Sequence, residues 1–411
     1  MPAMSRLRLG CALGAWLFVA PAVAAAQPAE AEAHSAVSQR ATFGGEAFGV
    51  FGPVPDDGYF NYTGYERNTF RTARIRLFGE WRATDRLSII GELRAEDGPS
   101  VSAPALYLRW QPVASTPVYI QAGRIPPLVG AFPRRAYGRD NAVIGLPLAY
   151  QYLTSLRADA VPESIDDVLA MRGRGWLSTY PVGAYESAPG VPLVSTQVWD
   201  TGVEATWQSD RVDVSGAVTR GSPAVPVAVR DTNDGLMWSG RTTVRLPAGV
   251  SVGVSAARSQ WLQASVLALT TPDTDRASTQ SVLATDLEVG HGRWLVRAEW
   301  LRASFEVPLV AAMPSGVQLV SWSAFVETRF RPHPRWQLGT RVEQLSFNEV
   351  QSSVPGASGE PWEAPVTRVE GVITYRVTRT LEVRGGWQHN WRSGGRVREQ
   401  GVPAFALYYW F

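Results

Sequence analysis

From Thr42 onward, apolar and polar side chains alternate in segments of about 8 to 13 residues, punctuated by Gly, Pro, Asp and Asn. Helical periodicity is nearly absent. Between Arg71 and Ala83, the residues Ala73, Ile75, Leu77, Gly79 and Trp81 share one parity, while Arg74, Arg76, Glu80 and Arg82 share the other. Gly316 to Arg331 repeats the split: Val320, Trp322, Ala324, Val326 and Phe330 oppose Ser321, Ser323, Glu327 and Arg329. In Val366 to Val377, Val369, Ile373 and Tyr375 oppose Arg368, Glu370 and Arg376. A period of two sends alternate side chains to opposite faces, so each segment reads as a strand with one apolar and one ionic face.

Sixteen strands are expected. The first eight lie near residues 42–51, 70–83, 87–95, 104–111, 117–124, 197–208, 211–220 and 236–246. The second eight lie near 250–259, 280–290, 293–305, 317–330, 334–347, 365–377, 380–392 and 402–411. Alternation alone fits a soluble sandwich as well as a transmembrane barrel. The connections separate the two, because seven short turns interleave with eight long loops. An even-numbered membrane barrel sorts its connections in this way, with tight turns at one end and long loops at the other. It places the apolar face on lipid and the charges around a wet lumen, and closure satisfies every backbone hydrogen bond. A sandwich has no reason to sort its loops by parity. No repeat unit suggests a solenoid, and the regular organisation argues for one domain despite the length.

The ends of the chain sharpen this. Arg6 and Arg8 precede an apolar run from Leu9 to Val23, and Ala24, Ala25 and Ala26 supply a small-residue cleavage site. Residues 1–26 therefore read as a secretory signal, 27–41 as a short periplasmic leader and 42–411 as the barrel. No later stretch approaches the roughly 18 apolar residues of a helical span. Cys11 is the single cysteine and lies in the signal, so the mature chain forms no disulfide and no cysteine-ligated metal site. All 39 basic side chains are Arg; without Arg6 and Arg8, 37 remain against 37 Asp plus Glu. That balance gives no reason to infer a nucleic-acid partner.

At the other end, Val402 to Phe411 is uncharged and aromatic, with Pro403, Phe405, Leu407, Tyr409 and Phe411 on one face. It resembles the terminal strand of bacterial outer-membrane β-barrel proteins, whose last aromatic residue is the signal read by the barrel-assembly machinery. The resemblance implies an all-β, antiparallel, up-and-down barrel of about 16 strands in the bacterial outer membrane, with lipid and that machinery as partners. Trp199, Trp207, Trp294, Trp300, Trp322, Trp336, Trp387 and Trp410 lie mostly near strand ends, where interfacial girdles sit.

One connection, residues 125–196, is far longer than the rest and calls for a function or a fold of its own. It carries Arg134, Arg135, Arg139 and Arg157, then Asp159, Glu163, Asp166 and Asp167. Pro162 to Arg172 has acids in its first turn and Arg at its end, as a short helix would. Gly145 to Leu153 is apolar enough to pack against a wall or a neighbouring subunit. In position the segment resembles the third loop of sixteen-stranded porins, which folds into the lumen and narrows it. Gly123, Arg124 and Gly130 are also similar to the Gly-Lys-x-x-x-Pro-x-Gly run of the phosphate-selective porin group, with Arg in place of Lys and the proline displaced by one to Pro127. The resemblance implies a pore-narrowing loop and a homotrimer, but phosphate selectivity is not carried over. The alternative is an ordered cap outside the pore.

If parity holds, thirteen Arg and ten acids face the lumen. Such balance predicts pairing across strands and only a mild anion preference. The candidate solute-binding residues are Arg74, Arg76, Arg109 and Arg124, with Arg134, Arg135 and Arg139 of the long segment, where a carboxylate or phosphate would find forked donors. Asp166 and Asp167 are the acids placed with them, and Phe411 is the assembly signal. The four His are scattered, no nucleophile motif is present, and no cofactor is expected. Three readings follow: a passive diffusion channel for small hydrophilic or anionic solutes, a loop-plugged structural or surface-binding barrel, and a barrel hydrolase.

Overall fold

The computed structural model describes residues 40–53, 59–64, 67–98, 100–135, 140–196, 199–227, 232–270, 278–309, 316–395 and 397–411. Residues 1–26, expected as a signal, and nearly all of the expected leader therefore lie outside the described residues. The barrel strands are β1 (Ala41–Phe51), β2 (Thr72–Thr84), β3 (Leu87–Glu96), β4 (Val101–Trp110), β5 (Val118–Ile125) and β6 (Asp200–Gln208). β7 (Val212–Thr219), β8 (Met237–Leu246), β9 (Val250–Gln260), β10 (Thr279–His291) and β11 (Trp294–Val307) follow. β12 (Val317–His333), β13 (Trp336–Phe347), β14 (Val366–Arg376), β15 (Leu381–Arg392) and β16 (Glu399–Trp410) complete the set. Each pairs with its neighbours in sequence, and β1 closes on β16 through rows such as Phe48↔Tyr408 and Phe51↔Phe405. The result is one closed antiparallel barrel with all sixteen expected strands in place.

Parity sorts the side chains as membrane solvation demands. Ile75, Leu77, Leu106, Leu108, Val342 and Ile373 are exposed on the outer face, as are Phe405, Leu407, Tyr409 and Phe411 on the last strand and its end. On the opposite face Arg341, Arg368, Arg384, Glu343 and Glu370 are buried. No described helix is long and apolar enough to cross a membrane. Closure at the chain end is direct: the Phe411 amide donates to the Gly45 carbonyl at 3.1 Å, and the Gly45 amide donates to the Phe411 carbonyl at 3.2 Å.

The structure departs from the alternation rule in three places. β12 runs on to His333 through a register shift between Phe330 and His333, and a bulge carries the strand past Pro332. Trp199 packs on inward Tyr107 and Trp410 packs against the buried Val50 and Tyr408 cluster, so neither belongs to the outer girdle. The inward parity of β11 to β13 also turns apolar, with Leu301, Phe305, Leu319, Phe325, Leu345 and Phe347 buried. Their partners are residues of the long segment, including Phe132, Leu148, Tyr150, Tyr152 and Leu156.

That segment is ordered by its own local chemistry. α1 (Leu148–Gln151) follows Pro147, and all four of its residues are buried. α2 (Ile165–Ala170) starts at a capping box in which Ser164 and Asp167 satisfy one another's backbone donors. The helix read from Pro162 to Arg172 is thus present but shorter. A two-stranded ribbon pairs Ala160–Val161 with Val182–Gly183.

Candidate pore-lining site

Alternating Arg and Glu on neighbouring strands place forked donors and paired acceptors in one layer of the inward face. Arg341 on β13 meets Glu343 at 2.9 Å, Glu327 on β12 at 3.3 Å and Glu370 on β14 at 3.4 Å. These charges also hold backbone of the long segment. Glu370 accepts the amides of Ile144 and Gly145, both at 2.8 Å, and Glu343 accepts the Leu148 amide at 2.6 Å. Arg341 donates to the Gly145 carbonyl at 2.7 Å, Arg368 to the Leu146 carbonyl at 3.0 Å and Arg384 to the Asn141 carbonyl at 2.9 Å. Glu299 on β11 accepts the Ala131 amide at 2.7 Å and the Tyr150 hydroxyl. Irregular backbone placed against a wall must find partners for its own polar groups, and the wall supplies them. Gly339 lets the chain come this close, because a Cβ there would lie 2.0 Å from the Ala142 carbonyl oxygen.

At the loop end of the barrel Glu363 extends the same device. It accepts the amides of Gly173 at 2.6 Å, Ala364 at 2.7 Å and Ser155 at 2.8 Å. Burial pushes its carboxyl above the ordinary range, and those amides pull it back part of the way.

The wall formed by β2 to β8 is different. A polar pocket of about 300 Å3 lies along it, with Arg76, Arg109, Gln121, Glu204, Thr206 and Arg241 among its lining. Most of its charges are matched: Arg76 with Glu92 at 3.0 Å and Glu46 at 3.5 Å, and Arg241 with Asp286 at 2.8 Å. Arg109 instead reaches the Tyr107 hydroxyl at 3.4 Å and has no carboxylate partner among the described residues.

No family model matches the chain, and no curated protein matches it by sequence. Solved structures do resemble it in fold. In-vitro folded OmpT, an outer membrane protein of Vibrio cholerae, is 10% identical with a TM-score of 0.53, covering 90% of this chain and 97% of its own. An anion-selective porin from Comamonas acidovorans is 9% identical with a TM-score of 0.51, covering 90% of this chain and 99% of its own. A porin refined at 1.8 Å is 12% identical with a TM-score of 0.50, covering 90% and 100%. Together with the closed sixteen-strand barrel, these settle the architecture. The fold is that of a sixteen-stranded outer-membrane porin.

Within that porin fold the expected site residues separate. Arg74 and Arg76 are on the inward face, Arg74 pairing with Glu96 at 2.5 Å, and Arg109 lies beside them in the pocket layer. Arg124 does not join them. Its register row holds outward Leu106, and its guanidinium donates to the Ala103 carbonyl. The side chains of Arg134 and Arg135, and all of Arg139, lie outside the described residues. Asp166 binds Ser352 at 2.7 Å and the Ser353 hydroxyl, which ties α2 to the loop after β13, and Asp167 caps α2. The serine hydroxyls hold the Asp166 carboxyl below the ordinary range. Sequence reasoning missed Gln121, a polar residue within an apolar strand, and Glu363, which stands outside any alternating run.

Proposed function

We propose that this protein is an outer-membrane channel for passive diffusion of small hydrophilic solutes, with a mild preference for anions. The observation that carries the reading is the division of the inward face into two halves. The wall from β11 to β15 is taken up by docked backbone of the long segment, while the wall from β2 to β8 keeps a polar pocket. We read residues 125–196 as a loop that narrows the pore without filling it. Arg109, the pocket cation without a carboxylate partner among the described residues, favours anions slightly there. Reconstitution into planar bilayers tests the reading. Ion steps are expected from the intact chain, and larger ones after deletion of residues 131–190; no steps from either chain would refute it.

The close docking of the long segment, with Arg341 and Arg368 fully buried, favours a second reading as a plugged structural barrel. Steps from the deletion chain alone would select it. A secretory signal at residues 1–26, recognition of Phe411 by the barrel-assembly machinery and a homotrimer complete the proposal. Vibrio cholerae OmpT has been solved in a trimer form, which supports the last of these.

A further inference from the structure

Arg109, Gln121 and Glu204 form one row across three strands, since Gln121 is the register partner of Arg109 on β4 and of Glu204 on β6. Directly opposed residues have Cα atoms roughly 5 Å apart, and the outer two stand about 10 Å apart. All three line the same pocket of about 300 Å3. Gln121 is only 7% exposed, and its side-chain oxygen has no hydrogen-bond partner among the described residues. A buried amide oxygen left in this state is costly, so the position calls for a donor. Arg109 beside it is a forked cation without a carboxylate, which calls for an acceptor. Glu204 is buried on the far side, where it accepts the Thr206 hydroxyl at 2.8 Å.

A simple carboxylate satisfies Arg109 but leaves the Gln121 oxygen without a donor and sets its charge near Glu204. A simple amine satisfies Gln121 and lies beside the Glu204 carboxylate but must face Arg109, Arg76 and Arg241. One solute class meets both demands: a carboxylate and an ammonium on a single carbon. We propose that this row is a binding subsite for zwitterionic α-amino acids, with the carboxylate on Arg109 and the ammonium on the Gln121 oxygen and Glu204. Trp199 and Pro126 line the same pocket and give a small side chain an apolar surface. The proposal rests on the channel reading for its purpose, but not for its geometry.

The test compares L-alanine, sodium lactate and alaninol, which share a carbon skeleton and differ in the ammonium or the carboxylate. Saturation-transfer NMR on the detergent-solubilised full chain measures binding, and block of ion current in planar bilayers measures occupancy of the pore. Alanine is expected to bind at least tenfold more tightly than either analogue. The preference over alaninol should disappear in Arg109→Gln and survive in Arg109→Lys, which keeps a cation, whereas the preference over lactate should disappear in Gln121→Leu. Each Arg109 variant is judged by its own alanine-to-alaninol ratio and Gln121→Leu by its own alanine-to-lactate ratio, so altered yield or conductance does not enter the readout. Equal binding of the three solutes overturns the proposal, as does a preference over alaninol that persists in Arg109→Gln or a preference over lactate that persists in Gln121→Leu. A preference in detergent without ion steps in the bilayer would sink the channel reading and leave the subsite standing. Steps without a preference would do the reverse.

Discussion

Replacing Glu370 by Ala tests whether wall charges hold the long segment. Glu370 is 1% exposed and accepts the Ile144 and Gly145 amides at 2.8 Å each. It also meets Gln388 at 3.1 Å and Arg341 at 3.4 Å. Each buried amide left without its acceptor costs about 1 to 3 kcal/mol. Arg341 retains Glu343 and Glu327, so the larger penalty of an isolated buried charge does not apply in full. A net loss of about 3 kcal/mol raises the undocked population of residues 140–153 by roughly a hundredfold. In a bilayer this should appear as added current noise with excursions to higher conductance, and in solution as faster proteolysis within the segment. Glu370→Gln keeps one acceptor oxygen in place and should fall between the two. A folded Glu370→Ala protein with the noise and cleavage rate of the parent would refute the argument.

Three further outcomes follow from named contacts. Deleting Phe411 should lower the yield of folded barrel far more than the conductance per folded pore. Gly45→Val should act in the same way, because a Cβ at Gly45 would lie 2.4 Å from the Phe411 ring; quantitative outer-membrane fractionation reads both. Asp166 has a lowered folded-state pKa, so its tie to Ser352 and Ser353 is present above the unfolded value of 3.8 and lost as pH falls through the folded one. Protection of the amides of residues 352–354, measured against their intrinsic exchange rate at each pH, should therefore fall in acid, and Asp166→Asn should flatten that dependence. Gly339→Leu should displace Ala142 and its neighbours and give the same noisy, higher-conductance record as Glu370→Ala, measured against a folded control.

The barrel was legible because its two demands are written into every strand: apolar residues toward lipid and polar residues inward, with tight turns at one end. The bounds of β1, β3 and β13 differ from expectation by only a residue or two. The apolar run Gly145 to Leu153 marked the segment for packing against a wall, but its polar seating was not legible, because those contacts are made by backbone. Ile144, Gly145 and Leu148 offer amides that any residue would offer, and nothing in their side chains points to Glu370 or Glu343. A trace of it was present in β11 to β13, where Leu301, Phe305, Leu319 and Phe325 put apolar residues on the ionic parity. They form the seat on which Phe132, Leu148, Tyr150 and Tyr152 pack. Arg124 shows the opposite failure, for a Gly-Arg motif attracted attention to a residue one step out of phase with the inward row.

This division bears on selectivity. Counting inward charges along the chain treats every Arg and every acid as equally exposed to a solute. Arg341, Arg368 and Arg384, and Glu327, Glu343 and Glu370, are instead buried in docking the segment and pairing with one another. Along the pocket Arg76 and Arg241 are likewise paired, with Glu92, Glu46 and Asp286, and Asp213 is paired with Arg245, so the positive surplus there is Arg109, which has no carboxylate partner among the described residues. Removing residues 131–190 would uncover three cations and three anions together, diluting that surplus while widening the path. Conductance should therefore rise while the anion-to-cation permeability ratio moves toward one, measured as reversal potential in a salt gradient. A deletion chain that conducts more and selects anions more strongly would mean that the buried Arg residues, not the pocket row, set the sign of selection.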